Sequence, residues 1–136
     1  MGYAFHECYK LMEPPVLPDG LFNLLSAFSN CIGMQSLPEI PRTVTNMNYT
    51  FTNCNSATKA PSEIPASVTG MESTFRLCAK LTGTIEINAT TINNYNLVFD
   101  RAGRDSDGIV LAGSCPILAE LAATKGTDGK VTVATA

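Results

Sequence analysis

The apolar positions of this chain recur in a fixed order. Met47, Phe51 and Cys54 reappear one unit later as Met71, Phe75 and Cys78. The same word stands upstream as Met1, Phe5 and Cys8, then as Leu24, Phe28 and Cys31. Three residues after each cysteine comes Leu11, Met34, Ala57 or Leu81. The phenylalanines at 5, 28, 51, 75 and 99 are spaced by 23, 23, 24 and 24 residues. Tyr95 stands four before Phe99, but Ala102 occupies the cysteine position of that fifth, worn copy. A fixed period in this range implies stacked repeats.

The remainder of each unit is nearly as regular. Pro15, Pro38 and Pro61 lie seven residues past the cysteine, with Ile85 in the last copy. Leu17-Pro18, Ile40-Pro41, Ile64-Pro65 and the worn Ile87-Asn88 follow, then the anchors Leu21, Val44, Val68 and Ile92. The i, i+4, i+7 spacing of Met47, Phe51 and Cys54 predicts one face of a helix. Thr45 or Asn46 would cap it, and Thr50 and Thr52 would keep it short. The proline-punctuated remainder predicts very short strands near 36–40, 59–64 and 83–87. One unit of this size buries too little to fold alone, so neighbours must supply the rest.

After Phe99 the pattern dissolves. Residues 100–108 read as a polar loop and 109–111 as a strand. Ser114-Cys115-Pro116 opens a helix whose apolar face is Ile117, Leu118, Leu121 and Ala122, with Gly126 to end it. Asp128-Gly129 is a turn, and 130–133 a last strand. The chain divides into repeats over 1–99 and a capping unit over 100–136. No comparable unit precedes Met1, which leaves Met1, Phe5 and Leu11 without a covering coil. The expectation is that the chain continues upstream, or that this end self-associates with a second copy.

Two stretches, IPRTVTNMNYTFTNC and IPASVTGMESTFRLC, resemble the BspA-like leucine-rich repeats of bacterial surface proteins. The resemblance covers residues 1–99. The word departs from the family's in its Met-to-Phe step of four and in Ala57, where leucine is usual. The expected fold class is an α/β repeat solenoid, a leucine-rich-repeat-like stack of short strands and short helices with a C-terminal αβ cap. The resemblance further implies a surface or secreted protein that binds other proteins or host surfaces without catalysis. The alternative is a structural spacer or self-associating segment with no ligand of its own.

Composition narrows the partners. With 136 residues, 45% hydrophobic and 15% charged, the chain suits one folded domain. A net charge of −3 argues against nucleic acid, whose binding needs a concentrated basic face. No apolar run reaches the ~18 residues of a membrane span, and this segment carries no signal-peptide pattern. Surface or secreted localisation would therefore belong to a longer chain. Four of the five cysteines share one repeat position and none forms a Cys-x-x-Cys pair, so packed thiols are expected rather than disulfides or metal ligands.

No catalytic residue, metal site or cofactor is assigned. His6, the single histidine, is read as an exposed residue without a nucleophile to serve. The candidate partner-binding face is a row of glutamates, Glu39, Glu63 and Glu86, each just before a strand isoleucine. Alternation turns them outward. They serve either as a solvated face that blocks edge aggregation or as a docking stripe for a basic partner or calcium.

Overall fold

A computed structural model describes residues 1–135; Ala136, the last residue of the expected capping unit, lies outside them. The chain winds into successive coils whose equivalent residues sit above one another. Isolated parallel bridges join Asn23 to Asn46, Asn46 to Gly70 and Gly70 to Asn94 on one side, and Ser36 to Lys59 and Lys59 to Thr82 on the other. The rings of Phe5, Phe28, Phe51, Phe75 and Phe99 form a continuous stack, with successive centroids 5.2 to 5.8 Å apart. Phe28, Phe51, Phe75 and Phe99 are fully buried, with Met47, Met71, Ile64, Ile85 and Ile87 around them.

The expected stack of short strands and short helices is not what the chain forms. Regular structure is sparse. Among the described residues one parallel sheet contains β1 (Glu63–Ile64), β2 (Gly83–Ile87), β3 (Ile109–Ala112) and β4 (Val131–Val133), in sequence order. The single helix among the described residues, α1 (Leu118–Ala123), lies between β3 and β4 in the chain. Apart from the isolated bridges, everything else among the described residues is turn, bend or irregular chain.

The helix predicted over Met47–Cys54 is a run of tight turns. Tyr49 and Asn53 have φ of 59° and 61°, in the left-handed region a helix cannot use. The feature repeats in every coil, at Tyr3 and Glu7, Ser26 and Asn30, Ser73 and Leu77, Leu97 and Arg101. Each such residue reverses the winding after half a turn. Thr50, Thr52 and Cys54 therefore donate to carbonyls three residues back, at 3.1 to 3.3 Å. The N–H groups of Met47, Tyr49, Phe51 and Asn53 leave the turn and donate to Gly70, Glu72, Thr74 and Arg76 of the next coil, at 2.7 to 3.0 Å. The apolar side chains still share one face, so the spacing that suggests a helix is met by another backbone.

The strands are also fewer than expected. Of the three strands expected within the repeats, only β2 matches its predicted span and β1 keeps two residues of 59–64, whereas those expected over 109–111 and 130–133 are present as β3 and β4. Around residues 36–40 a single bridge at Ser36 remains, because Pro38 and Pro41 have no N–H to give a ladder. In β2, Ile85 and Ile87 face the core while Thr84 and Glu86 face outward, as a half-buried strand requires.

Candidate docking cleft

The first proline-bearing leg carries Pro14, Pro15 and Pro18. Opposite it lies the leg from Ser36 to Arg42, with Pro38 and Pro41. Their start is pinned by the Gln35 N–H donating to the Met12 carbonyl at 2.8 Å. Beyond that point no ladder joins the two legs among the described residues. Prolines on both sides have removed the donors a ladder needs, and the legs part.

The opening is a cleft of about 550 Å³. Its apolar surface includes Pro15, Val16, Leu17, Leu37 and Ile40, and Asp19, Glu39, Arg42 and Lys59 contribute charges of both signs. Val16 is 96% exposed. It holds the position that Glu39 holds in the next coil, so the first coil presents an isopropyl group where its neighbour presents a carboxylate. Exposed apolar side chains gather around this coil: Tyr3, Tyr9, Met12, Val16 and Phe22 all belong to residues 1–22.

The three glutamates do not form one uniform row. Glu63 and Glu86 are register partners in adjacent strands. Glu39 sits instead against Ser62, an extra residue in the next unit. The Ser62 N–H and hydroxyl both donate to its carboxylate, at 2.6 and 2.7 Å. Glu63 accepts from the Asn88 amide at 2.7 Å and lies 3.4 Å from the Arg42 guanidinium. Glu86 is exposed, with no side-chain hydrogen bond or ion pair among the described residues. Glu39 lines the cleft, while Glu63 and Arg42 line a smaller hollow of about 130 Å³ beside it.

The four repeated cysteines stack along one side of the phenylalanines, all unbridged. The thiols of Cys31, Cys54 and Cys78 donate back to the carbonyls of Phe5, Phe28 and Phe51, at 3.0 to 3.2 Å. Burial pushes all three thiols up, and Cys78 reaches about 12. Cys8 is half-buried at the open end of the stack. His6 turns away to Glu7, at 3.3 Å, and to the edge of the Tyr3 ring. No group of three metal-binding side chains comes together among the described residues. No helix among them is long and apolar enough to cross a membrane.

Sequence reasoning did not find the cleft, although the signal was present. Val16 replaces the outward glutamate, and Pro14-Pro15 doubles the proline of the other units. Both marks fall in the same leg. Comparison with protein-family models, with curated proteins and with solved structures finds no match for this chain.

Proposed function

We propose that this chain is a non-catalytic protein-binding module, and that its cleft holds an extended segment of a partner protein. The observation that carries this reading is the parted pair of proline legs. It leaves an apolar, open slot rimmed by charges of both signs. A slot of this kind suits a polypeptide better than a compact polar metabolite. Apolar side chains can fill the floor, while rim charges set direction and register. The resemblance to bacterial surface repeats adds an adhesive setting, at a cell surface or in a secreted protein, with a protein or host-surface ligand.

The test is selection of displayed random peptides against the full chain, followed by titration of the selected peptides against Val16→Asp. Val16 is almost fully exposed, so its substitution should leave folding intact. The expected result is saturable binding that Val16→Asp weakens at least about tenfold, as loss of a central apolar contact does. Peptides that bind both proteins equally would place the contact elsewhere and end this reading. A chain that selects no peptide would act as a spacer.

A further inference from the structure

The larger cleft carries its free charges at opposite ends. Its two legs start together where the Gln35 N–H meets the Met12 carbonyl, and there Lys59 of the third coil is bridged to Ser36. Lys59 lines the cleft and is exposed, and its ammonium makes no ion pair or hydrogen bond among the described residues. Asp19 stands at the far end of the first leg, in the position Arg42 holds in the second. It too lines the cleft, is exposed, and makes no side-chain hydrogen bond or ion pair among the described residues. Six steps of extended chain, at about 3.3 Å each, put roughly 20 Å between the two ends.

The remaining charges do not level this difference. Arg42 belongs to the Asp19 end, but its guanidinium lies 3.4 Å from the Glu63 carboxylate, and the two offset each other. Glu39, midway along the second leg, is held by the Ser62 N–H and hydroxyl at 2.6 and 2.7 Å. Both donors are neutral, so its charge stays. Glu13 shares the register position of Ser36 and Lys59 but does not line the cleft. Between the ends the walls are apolar, with Val16, Leu17, Leu37 and Ile40. The cleft is thus positive where it starts, apolar along its length and negative toward its end.

We infer that the occupant of the cleft is an extended peptide segment with opposite charges at its two ends, and that Lys59 and Asp19 select it. Its acidic residue lies beside Lys59, its basic residue about six positions away beside Asp19, and its apolar residues between them. This inference rests on the reading of the cleft as a peptide site. It adds the charge pattern of the peptide and the two residues that read it. A segment of opposite end charges meets two attractions. A segment charged alike at both ends meets one attraction and one repulsion, and repulsion is what rejects a wrong partner.

Three kinds of capped heptapeptide test it, all with the same alternating valine and threonine between their end residues. One kind has glutamate at one end and lysine at the other, made in both orders. The second has glutamate at both ends, and the third lysine at both. Each is titrated against the full chain at low salt. The peptide of opposite charges, in its better order, should bind at least about fivefold tighter than either like-charged peptide, as one exposed pair turned from attraction to repulsion implies. Asp19→Lys should make the doubly acidic peptide the tightest, and Lys59→Glu the doubly basic one. Both substitutions fall on exposed side chains, so thermal unfolding should be nearly unchanged. The net charge of −3 acting alone would rank the doubly basic peptide first. That ranking in the unchanged chain, equal affinities, an order that neither variant alters, or no binding by any of the three would each overturn the inference. Peptides obtained by selection keep the two readings apart. If Val16→Asp weakens their binding, the cleft remains a peptide site and only the charge pattern is wrong; if it does not, both readings fall.

Discussion

The ring of Phe51 lies over that of Phe28, with centroids 5.8 Å apart and planes 21° from parallel. The same ring meets Phe75 on its other side at 5.7 Å. Phe51 is fully buried, whereas Phe5, at the open end of the stack, is only half-buried. Removing a ring from the middle leaves a cavity bounded by two rings that cannot close on each other. Removing the end ring opens a dent that water can fill. Phe51→Ala should therefore cost about 3–5 kcal/mol, and Phe5→Ala clearly less. Urea denaturation of both variants checks the order. Equal losses would mean the stack is not the spine of the fold.

Periodicity made much of the packing legible. The apolar word identified the residues that pack together, because burial on a common face needs only the spacing to be right. Phe28, Phe51, Phe75, Cys31, Cys54, Cys78, Met47 and Met71 are all buried. The backbone that delivers them was not legible in the same way. An i, i+4, i+7 spacing is shared by a helix and by a pair of tight turns with a left-handed residue every fourth position. The decisive mark was Asn30 and Asn53, since asparagine tolerates the left-handed region better than most residues. It is muted because Glu7, Leu77 and Arg101 hold that position in the other coils. The cleft was hidden for a different reason: it arises from hydrogen bonds that prolines do not make.

Asn53 separates the two backbones experimentally. Its φ is 61°, and its side-chain amide donates to the Asn30 side-chain oxygen Oδ1 at 3.0 Å. Both Asn53→Gly and Asn53→Ala lose that bond. Only alanine meets the steric cost of the left-handed region, about 1 kcal/mol or more. The glycine variant should therefore be the more stable of the two in thermal or urea unfolding. A helix would give the reverse order, since glycine costs it about 1 kcal/mol relative to alanine.

The glutamates differ in what they can do for a partner. Glu39 lines the cleft, and Glu86 lines neither hollow. For a basic peptide bound in the cleft, Glu39→Gln should weaken binding and flatten its salt dependence. Glu86→Gln should leave both nearly unchanged. Replacing Glu39, Glu63 and Glu86 together by glutamine should therefore do little more than Glu39→Gln alone. Titration at two salt concentrations checks this. An added loss of binding from Glu86→Gln would restore a docking stripe that extends along the sheet.

The buried thiols give stability a dependence on alkaline pH. Burial raises the Cys78 thiol from 9.0 to about 12, because an anion there would lose its water without gaining a cation. The folded chain thus holds this proton more tightly than the unfolded chain. A group raised on folding contributes fully below its unfolded pKa, near 9, and loses that contribution as pH climbs toward 12. Between those limits the unfolded state carries the fewer protons, so stability must fall with pH. One thiol gives a slope of about 1.4 kcal/mol per pH unit. Cys54 is raised in the same direction by the same cause and steepens the fall. Urea unfolding at pH 8, 9 and 10 should show stability dropping across the upper interval. Cys78→Ala should lower stability at pH 8, through the cavity it leaves, yet show a shallower slope above pH 9. A slope that Cys78→Ala does not change would mean that tyrosines or lysines govern the alkaline limit and that the thiol stack is more open to water than its burial requires.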